Sequence, residues 1–123
     1  MTTSGAEMIG AERLRQVRHP NEGGEGFVHS HDDQHGEGVL TAAADCYMFL
    51  THALEAPEEV TGLFWPWHPS WFKPSPDPRR NLVKAGALYL AEAERYDRAS
   101  KPDLADRCRH VAAQLARSID EMR

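Results

Sequence analysis

Several features that often reveal a protein's class are scarce in this chain of 123 residues. No apolar run approaches the roughly 20 residues that a helix needs to span a bilayer, and the N-terminus lacks the apolar core of a signal peptide. Cys46 and Cys108 are too few for a disulfide framework and fall within helical patterns, which predicts buried or half-buried thiols in a reducing cytoplasm. The net charge of −5 predicts no extended nucleic-acid surface, and no membrane partner is expected.

The common functional motifs are missing as well. The sequence contains no P-loop, G-x-G-x-x-G, C-x-x-C or G-x-S-x-G motif. No segment shows the alternating apolar and polar residues of a strand. Helical apolar spacing instead predicts one all-α domain over residues 1–123, a compact bundle of about four helices with a long Trp/Pro-rich loop. The helices are expected near residues 6–18, 38–54, 79–98 and 102–122, with residues 1–5 frayed.

The last two predicted helices carry specific packing signals. Gly86 lies inside the third helix, where glycine costs about 1 kcal/mol relative to alanine, and this predicts close approach of a neighbouring helix. Residues Ser100-Lys101-Pro102-Asp103 are typical of a capped helix start with proline in the first turn. Apolar side chains then recur at near-heptad spacing, so residues 99–123 pack either on the other helices or on a second copy of the chain.

The densest group of metal-ligand side chains is His29-Ser30-His31-Asp32-Asp33-Gln34-His35, flanked by glycines. Imidazole suits zinc and other transition metals, while carboxylates suit magnesium or manganese. Further carboxylates come from Glu12 and from Glu94-x-x-Asp97, whose spacing places both acids on one helical face. We expect a divalent metal, magnesium or manganese rather than zinc, with the predicted ligands Glu12, His31, Asp32, His35, Glu94 and Asp97. The predicted catalytic residues are His31, Asp32 and Asp33. The alternative is that Asp32 or Asp33 caps the next helix and the histidines are solvated.

A second candidate region holds six of the eight prolines and all three tryptophans, within residues 55–78. So much aromatic mass in a long loop indicates either a lid over the core or a stacking surface for a flat ligand. Basic residues adjoin it, and Arg79 and Arg80 lie in the first turn of the third helix, where cations oppose the helix dipole. They either bind an anion or pair with nearby acids. The predicted ligand-binding residues are Trp65, Trp67, Trp71, Lys73, Arg79, Arg80 and Lys84.

The order of these elements resembles a family of small phage- and prophage-encoded proteins. The resemblance covers about residues 12–98. It is carried by Glu12-Arg13-Leu14-Arg15-Gln16, His31-Asp32-Asp33-Gln34-His35, Ala42-Ala43-Ala44 before Tyr47, Trp65-Pro66-Trp67, Trp71-Phe72-Lys73-Pro74, Arg79-Arg80-Asn81-Leu82-Val83-Lys84-Ala85 and Ala91-Glu92-Ala93-Glu94-Arg95. The chain departs from the pattern at Phe27, where a tryptophan is expected, and at His68, where an acid is expected.

Some such proteins are similar to the MazG-type all-α nucleotide pyrophosphohydrolases. That resemblance implies magnesium-dependent cleavage of a nucleoside triphosphate to monophosphate and pyrophosphate, usually by an oligomer, in the host cytoplasm if the chain is phage-encoded. MazG enzymes carry an E-E-x-x-E element before their E-x-x-D. The only comparable acids here, Glu58-Glu59, fall in the proline-rich segment.

Three functional hypotheses follow from the sequence. The first is binding and metal-dependent hydrolysis of a nucleotide-like phosphorylated ligand by a homo-oligomer. The second is a non-enzymatic phage accessory protein that sequesters a nucleotide signal or binds a host protein. In the third, the histidine–aspartate segment is only a polar contact between loop and bundle. Under the first hypothesis, His31, Asp32, Asp33 and His35 lie within reach of Glu12 or of the third-helix acids.

Overall fold

The structure, a computed structural model, describes residues 3–17, 38–49, 65–67 and 72–122. These residues form four helices: α1 (Gly5–Val17), α2 (Val39–Phe49), α3 (Pro78–Arg98) and α4 (Pro102–Glu121). No strand occurs among them, and the helices pack into a compact bundle, which confirms the predicted all-α fold. The predicted continuations of the first helix to residue 18 and of the second to residue 54 lie outside the described residues.

Side chains next to the helix starts fix where α1 and α3 begin. Ser4 Oγ accepts a hydrogen bond from the Glu7 backbone N–H at 3.1 Å, and Ser4 Oγ donates to Glu7 Oε1 at 2.9 Å. At α3, Asp77 Oδ1 accepts from the Arg79 N–H at 3.0 Å, and Pro78 occupies the first turn. Both arrangements satisfy backbone donors that a helix start would otherwise leave without partners.

The turn between α3 and α4 differs from the sequence-based expectation. Pro102 does lie in the first turn of α4, but the residue before the helix is Lys101, whose side chain makes no capping hydrogen bond. Ser100 instead adopts a positive φ of 60°, the left-handed conformation that commonly ends a helix. The Lys101 N–H then donates to the Tyr96 carbonyl at 2.9 Å. Ser100 therefore helps to terminate α3, and the prediction that it caps α4 was wrong.

Helix α3 lies at the centre of the bundle and contacts each of the other three helices. Its buried side chains include Leu82, Val83, Leu88 and Ala91. The predicted close approach at Gly86 is confirmed, because a β-carbon there would lie only 2.4 Å from Ile9 Cδ1 of α1. The apolar stripe of α4 packs within the chain, with its buried members in the same core as α3.

Both cysteines are buried free thiols, as predicted. Burial, together with the neighbouring Asp45 charge, raises the pKa of Cys46 to about 11. Burial also raises the pKa of Cys108. Within the described ranges, no helix combines the length and the apolar character needed to cross a membrane.

Candidate functional site

Four aromatic rings from α2 and from the segment before α3 gather at one place. The Trp65 ring meets the rings of Tyr47 and Trp67 edge-on, at centroid distances of 5.8 and 5.2 Å. It also packs against the Phe72 ring in a tilted arrangement, at 4.8 Å. Tyr47 and Phe72 are buried, while the two tryptophans are half-buried and pack against the core. Trp65 therefore holds the segment against the bundle. Trp71 lies outside the described residues.

Two lysines tie this aromatic cluster to the first turns of α3. Lys84 Nζ donates to the Lys73 carbonyl at 2.6 Å and lies 5.6 Å from the centroid of the Tyr47 ring. The Lys73 N–H donates to the Tyr47 hydroxyl at 3.2 Å. Lys84 therefore holds the backbone at Lys73, just before α3, against the helix. Its ammonium also places a positive charge beside the aromatic rings, an arrangement stabilised by cation–π attraction.

Arginines from two helices surround the buried carboxylate of Glu12. Arg15 donates from Nε at 2.9 Å and from Nη2 at 2.8 Å to the two Glu12 oxygens, and Arg80 Nη2 also donates to Oε1. The Glu12 side chain is 1% exposed, whereas those of Arg15 and Arg80 are 34% and 36% exposed. Burial alone would raise the pKa of Glu12, but the hydrogen bonds and charges of the two arginines outweigh it and hold that pKa below its usual range.

The arginine group and the aromatic cluster meet along α3. Arg80 and Lys84 are four residues apart, so they are neighbours on one helical face. Arg79 lies beside them, with its Nη2 3.8 Å from the Met8 sulfur, and its buried Nε has no hydrogen-bond partner among the described residues. We call this surface the basic–aromatic face; its members are Arg15, Tyr47, Trp65, Trp67, Phe72, Lys73, Arg79, Arg80 and Lys84.

The other two predicted metal ligands of the described bundle bind different arginines. Arg13 Nε donates to Glu94 Oε1 at 2.8 Å, which joins α1 to α3. Arg109 Nη1 donates to Asp97 Oδ2 at 2.7 Å, which joins α4 to α3. The E-x-x-D spacing therefore does not bring both acids to one cation in this structure.

The described residues do not fit a divalent metal. Among them, no three histidine, cysteine, aspartate or glutamate side chains are grouped so that they could hold one. Glu12 and Glu94 each accept hydrogen bonds from arginine instead. The remaining predicted ligands and catalytic residues lie outside the described residues: His31, Asp32, Asp33 and His35. Their proximity to Glu12 or to the third-helix acids stays a prediction.

Two acids outside the predicted site, Glu92 and Asp45, have partners that the sequence did not predict. Glu92 is completely buried; it accepts from the Gly38 N–H at 2.7 Å and from Arg95 Nε at 2.7 Å. Asp45 accepts from the Tyr89 hydroxyl at 2.7 Å. A usable signal was present, because an acid precedes an arginine by three residues in each of the pairs Glu12–Arg15, Glu92–Arg95 and Asp106–Arg109.

No protein-family model, curated protein or solved structure matches the chain.

Proposed function

We propose that the protein binds a nucleotide-like phosphorylated ligand at the basic–aromatic face. The observation that carries this proposal is the position of Arg80 and Lys84 on one face of α3, with Lys84 beside the ring cluster. A phosphorylated ligand with a flat ring needs cations next to aromatic faces, and this surface provides both within one or two helical turns.

The rings contribute in different ways. Trp65 contacts Tyr47, Trp67 and Phe72, so it fixes the local structure. Trp67 is half-buried and follows the exposed Pro66, which makes it the better candidate for stacking on a ligand ring. Lys73 is exposed and adds a positive charge at the edge of the cluster.

Metal-dependent hydrolysis of the ligand is the catalytic form of the proposal. It depends on His31, Asp32, Asp33 and His35 as sequence-predicted ligands of magnesium or manganese, and on the resemblance to MazG-type enzymes. That resemblance also adds a homo-oligomer to the proposal, which light scattering on the purified protein would check.

One observation favours the non-enzymatic form, in which the protein sequesters a nucleotide signal without cleaving it. Glu12 and Glu94, two of the predicted metal ligands, are held by arginine side chains. The described helices therefore present arginines and lysines but no group of three metal-ligand side chains. Phosphorus NMR of a nucleoside triphosphate incubated with the protein and magnesium separates the two forms, since only an enzyme releases pyrophosphate.

The binding proposal is tested with single alanine variants of Trp65 and Trp67. Removing a stacking ring costs about 1–3 kcal/mol of binding, whereas removing a packed tryptophan costs about 3–5 kcal/mol of stability. We expect Trp67→Ala to lower nucleotide affinity with little change in melting temperature, and Trp65→Ala to lower the melting temperature. Calorimetric titration of adenosine and guanosine nucleotides into each variant measures the first effect.

Arg109→Ala is the matched control, because Arg109 lies at the α3–α4 surface and pairs with Asp97 and Asp106. It should leave nucleotide affinity unchanged. If the wild-type protein binds no nucleotide, or if Trp67→Ala loses stability without losing affinity, the aromatic cluster is core material and the proposal fails.

A further inference from the structure

The Glu12 carboxylate lies beneath two guanidiniums that reach the solvent. Arg15 belongs to the same helix as Glu12, one turn later, while Arg80 comes from the first turn of α3. Both Glu12 oxygens accept hydrogen bonds from Arg15, and one of them also accepts from Arg80. The acid is almost completely buried and the two cations are about one-third exposed. This arrangement joins α1 to α3 and holds both guanidiniums on one buried carboxylate.

We infer that Glu12 is a positioning residue that fixes Arg15 and Arg80 so that their guanidiniums receive a phosphate group of the ligand. The inference rests on the proposed function and narrows its phosphate contacts to this pair. Arginine is suited to this role because its planar fork matches phosphate oxygens, provided that the fork is correctly oriented. A buried carboxylate that holds two forks in place reduces the ordering that ligand binding would otherwise require.

A role for Glu12 as a metal ligand, which the sequence suggested, fits this geometry less well. A metal would compete with three arginine hydrogen bonds for the same two oxygens. Loss of the Glu12 charge should change phosphate affinity in opposite directions under the two explanations, a general charge effect and positioning of the arginines. Removing a negative charge strengthens phosphate attraction by simple electrostatics, whereas removing the group that orients the arginines weakens binding.

The experiment compares Glu12→Gln with Glu94→Gln, using inorganic pyrophosphate as the probe. Both substitutions remove one negative charge, and both original carboxylates accept from an arginine, but Glu94 accepts from Arg13, which is not a member of the basic–aromatic face. Glutamine at position 12 keeps one acceptor oxygen and turns amide donors toward a guanidinium. Calorimetric titration without metal at low ionic strength should show about tenfold weaker binding for Glu12→Gln, the loss expected for a charged hydrogen bond. Glu94→Gln should bind as the wild type does.

A second variant tests the inference even if the Glu12→Gln protein does not fold. Arg80→Lys keeps both the charge and the Glu12 carboxylate but replaces the planar fork by a single ammonium. We expect about tenfold weaker pyrophosphate binding, on the scale of one charged hydrogen bond. Arg109→Lys, the same change at an exposed arginine of α4, should have no effect on this affinity.

A spectroscopic measurement distinguishes positioning from general loss of stability. In the wild type, Arg15 Nε donates to Glu12, so its Nε–H correlation in nitrogen-15 NMR spectra should be resolved and should shift when pyrophosphate is added. In Glu12→Gln it should move toward the position of an unrestrained arginine before any probe is added. The corresponding signal of Arg109 should not change in either protein.

Each outcome decides between the two claims. Equal or tighter pyrophosphate binding by Glu12→Gln would overturn the positioning role, and so would unchanged binding by Arg80→Lys. If in that case Trp67→Ala still weakens nucleotide binding, the proposed function survives without this inference. If the wild-type protein binds nucleotides but not pyrophosphate, the arginine pair is not the phosphate site. If it binds neither, both claims fail.

Discussion

Replacing Gly86 with alanine tests how closely α1 packs on α3. An added β-carbon would lie 2.4 Å from Cδ1 and 2.8 Å from Cγ1 of Ile9. Carbon atoms in good contact are about 3.5–4.0 Å apart, so the methyl group is too close by about 1 Å. Ile9 is 2% exposed and cannot move into solvent without leaving the core. Such overpacking costs about 1–3 kcal/mol.

The same substitution also removes a helix-interior glycine, which favours the folded state by about 1 kcal/mol. Gly10 supplies the matched control, because a β-carbon there meets nothing within 4 Å. Gly10→Ala should therefore stabilise the protein, while Gly86→Ala should be neutral or destabilising. The difference between the two variants isolates the steric effect and is expected to be about 1–3 kcal/mol.

Urea denaturation followed by circular dichroism measures both free energies of unfolding. A double-mutant cycle with Ile9→Val then identifies the partner. Valine at position 9 lacks the Cδ1 atom, so the two changes should couple by at least about 0.5 kcal/mol if the residues touch. If Gly86→Ala stabilises the protein as much as Gly10→Ala, or if the cycle shows no coupling, the described crossing of α1 and α3 is wrong.

Three further predictions concern buried polar groups. Asn81→Ala removes two hydrogen bonds to the Ser75 backbone, of 2.7 and 2.9 Å, and should cost about 1–3 kcal/mol of stability in urea denaturation. The raised pKa of Cys46, about 11, should keep its thiol unreactive toward a disulfide reagent at mildly alkaline pH, with labelling no faster than unfolding. Since the unfolded thiol titrates near 9.0, stability should fall as the pH rises through that value toward 11. The lowered pKa of Glu12 has the opposite effect: its contribution to stability is present above pH 4.5 and is lost as the pH falls further. In Glu12→Gln, the urea midpoint of unfolding should therefore decrease less steeply at acidic pH than in the wild type.

The sequence predicted α2, α3 and α4 because each buries an apolar stripe, whereas α1 buries Ile9 beside charged side chains and leaves Leu14 61% exposed. On α4, Leu115 and Ile119 have the expected spacing and lie in the core. Gly86 was informative because glycine destabilises a helix interior, so its presence there indicates that another helix packs closely against it. The start of α1 could also have been predicted, because Ser4 and Glu7 have the spacing of a capping box.

The partners of the charged residues could not be predicted from local spacing. Glu12 and Arg80 are 68 positions apart, and their contact depends on where α1 crosses α3. Helical periodicity places Glu94 and Asp97 on one face, but it does not reveal that arginines from α1 and α4 approach that face from two sides. Arg80 lies in the first turn of α3, where its positive charge opposes the helix dipole, and the Glu12 carboxylate of α1 offsets that cost.

The arginine pairs of Glu12 and Glu94 imply that phosphate binding and metal-dependent cleavage would depend on different residues of the chain. A carboxylate that already neutralises a guanidinium binds a divalent cation only after that contact is broken, and breaking a buried pair leaves an arginine charge uncompensated. Glu12 and Glu94 each pair with an arginine in this way. Any metal site would then depend on the separate acids and imidazoles of His31, Asp32, Asp33 and His35. Phosphate affinity should therefore persist in the presence of a metal chelator, even if cleavage requires magnesium.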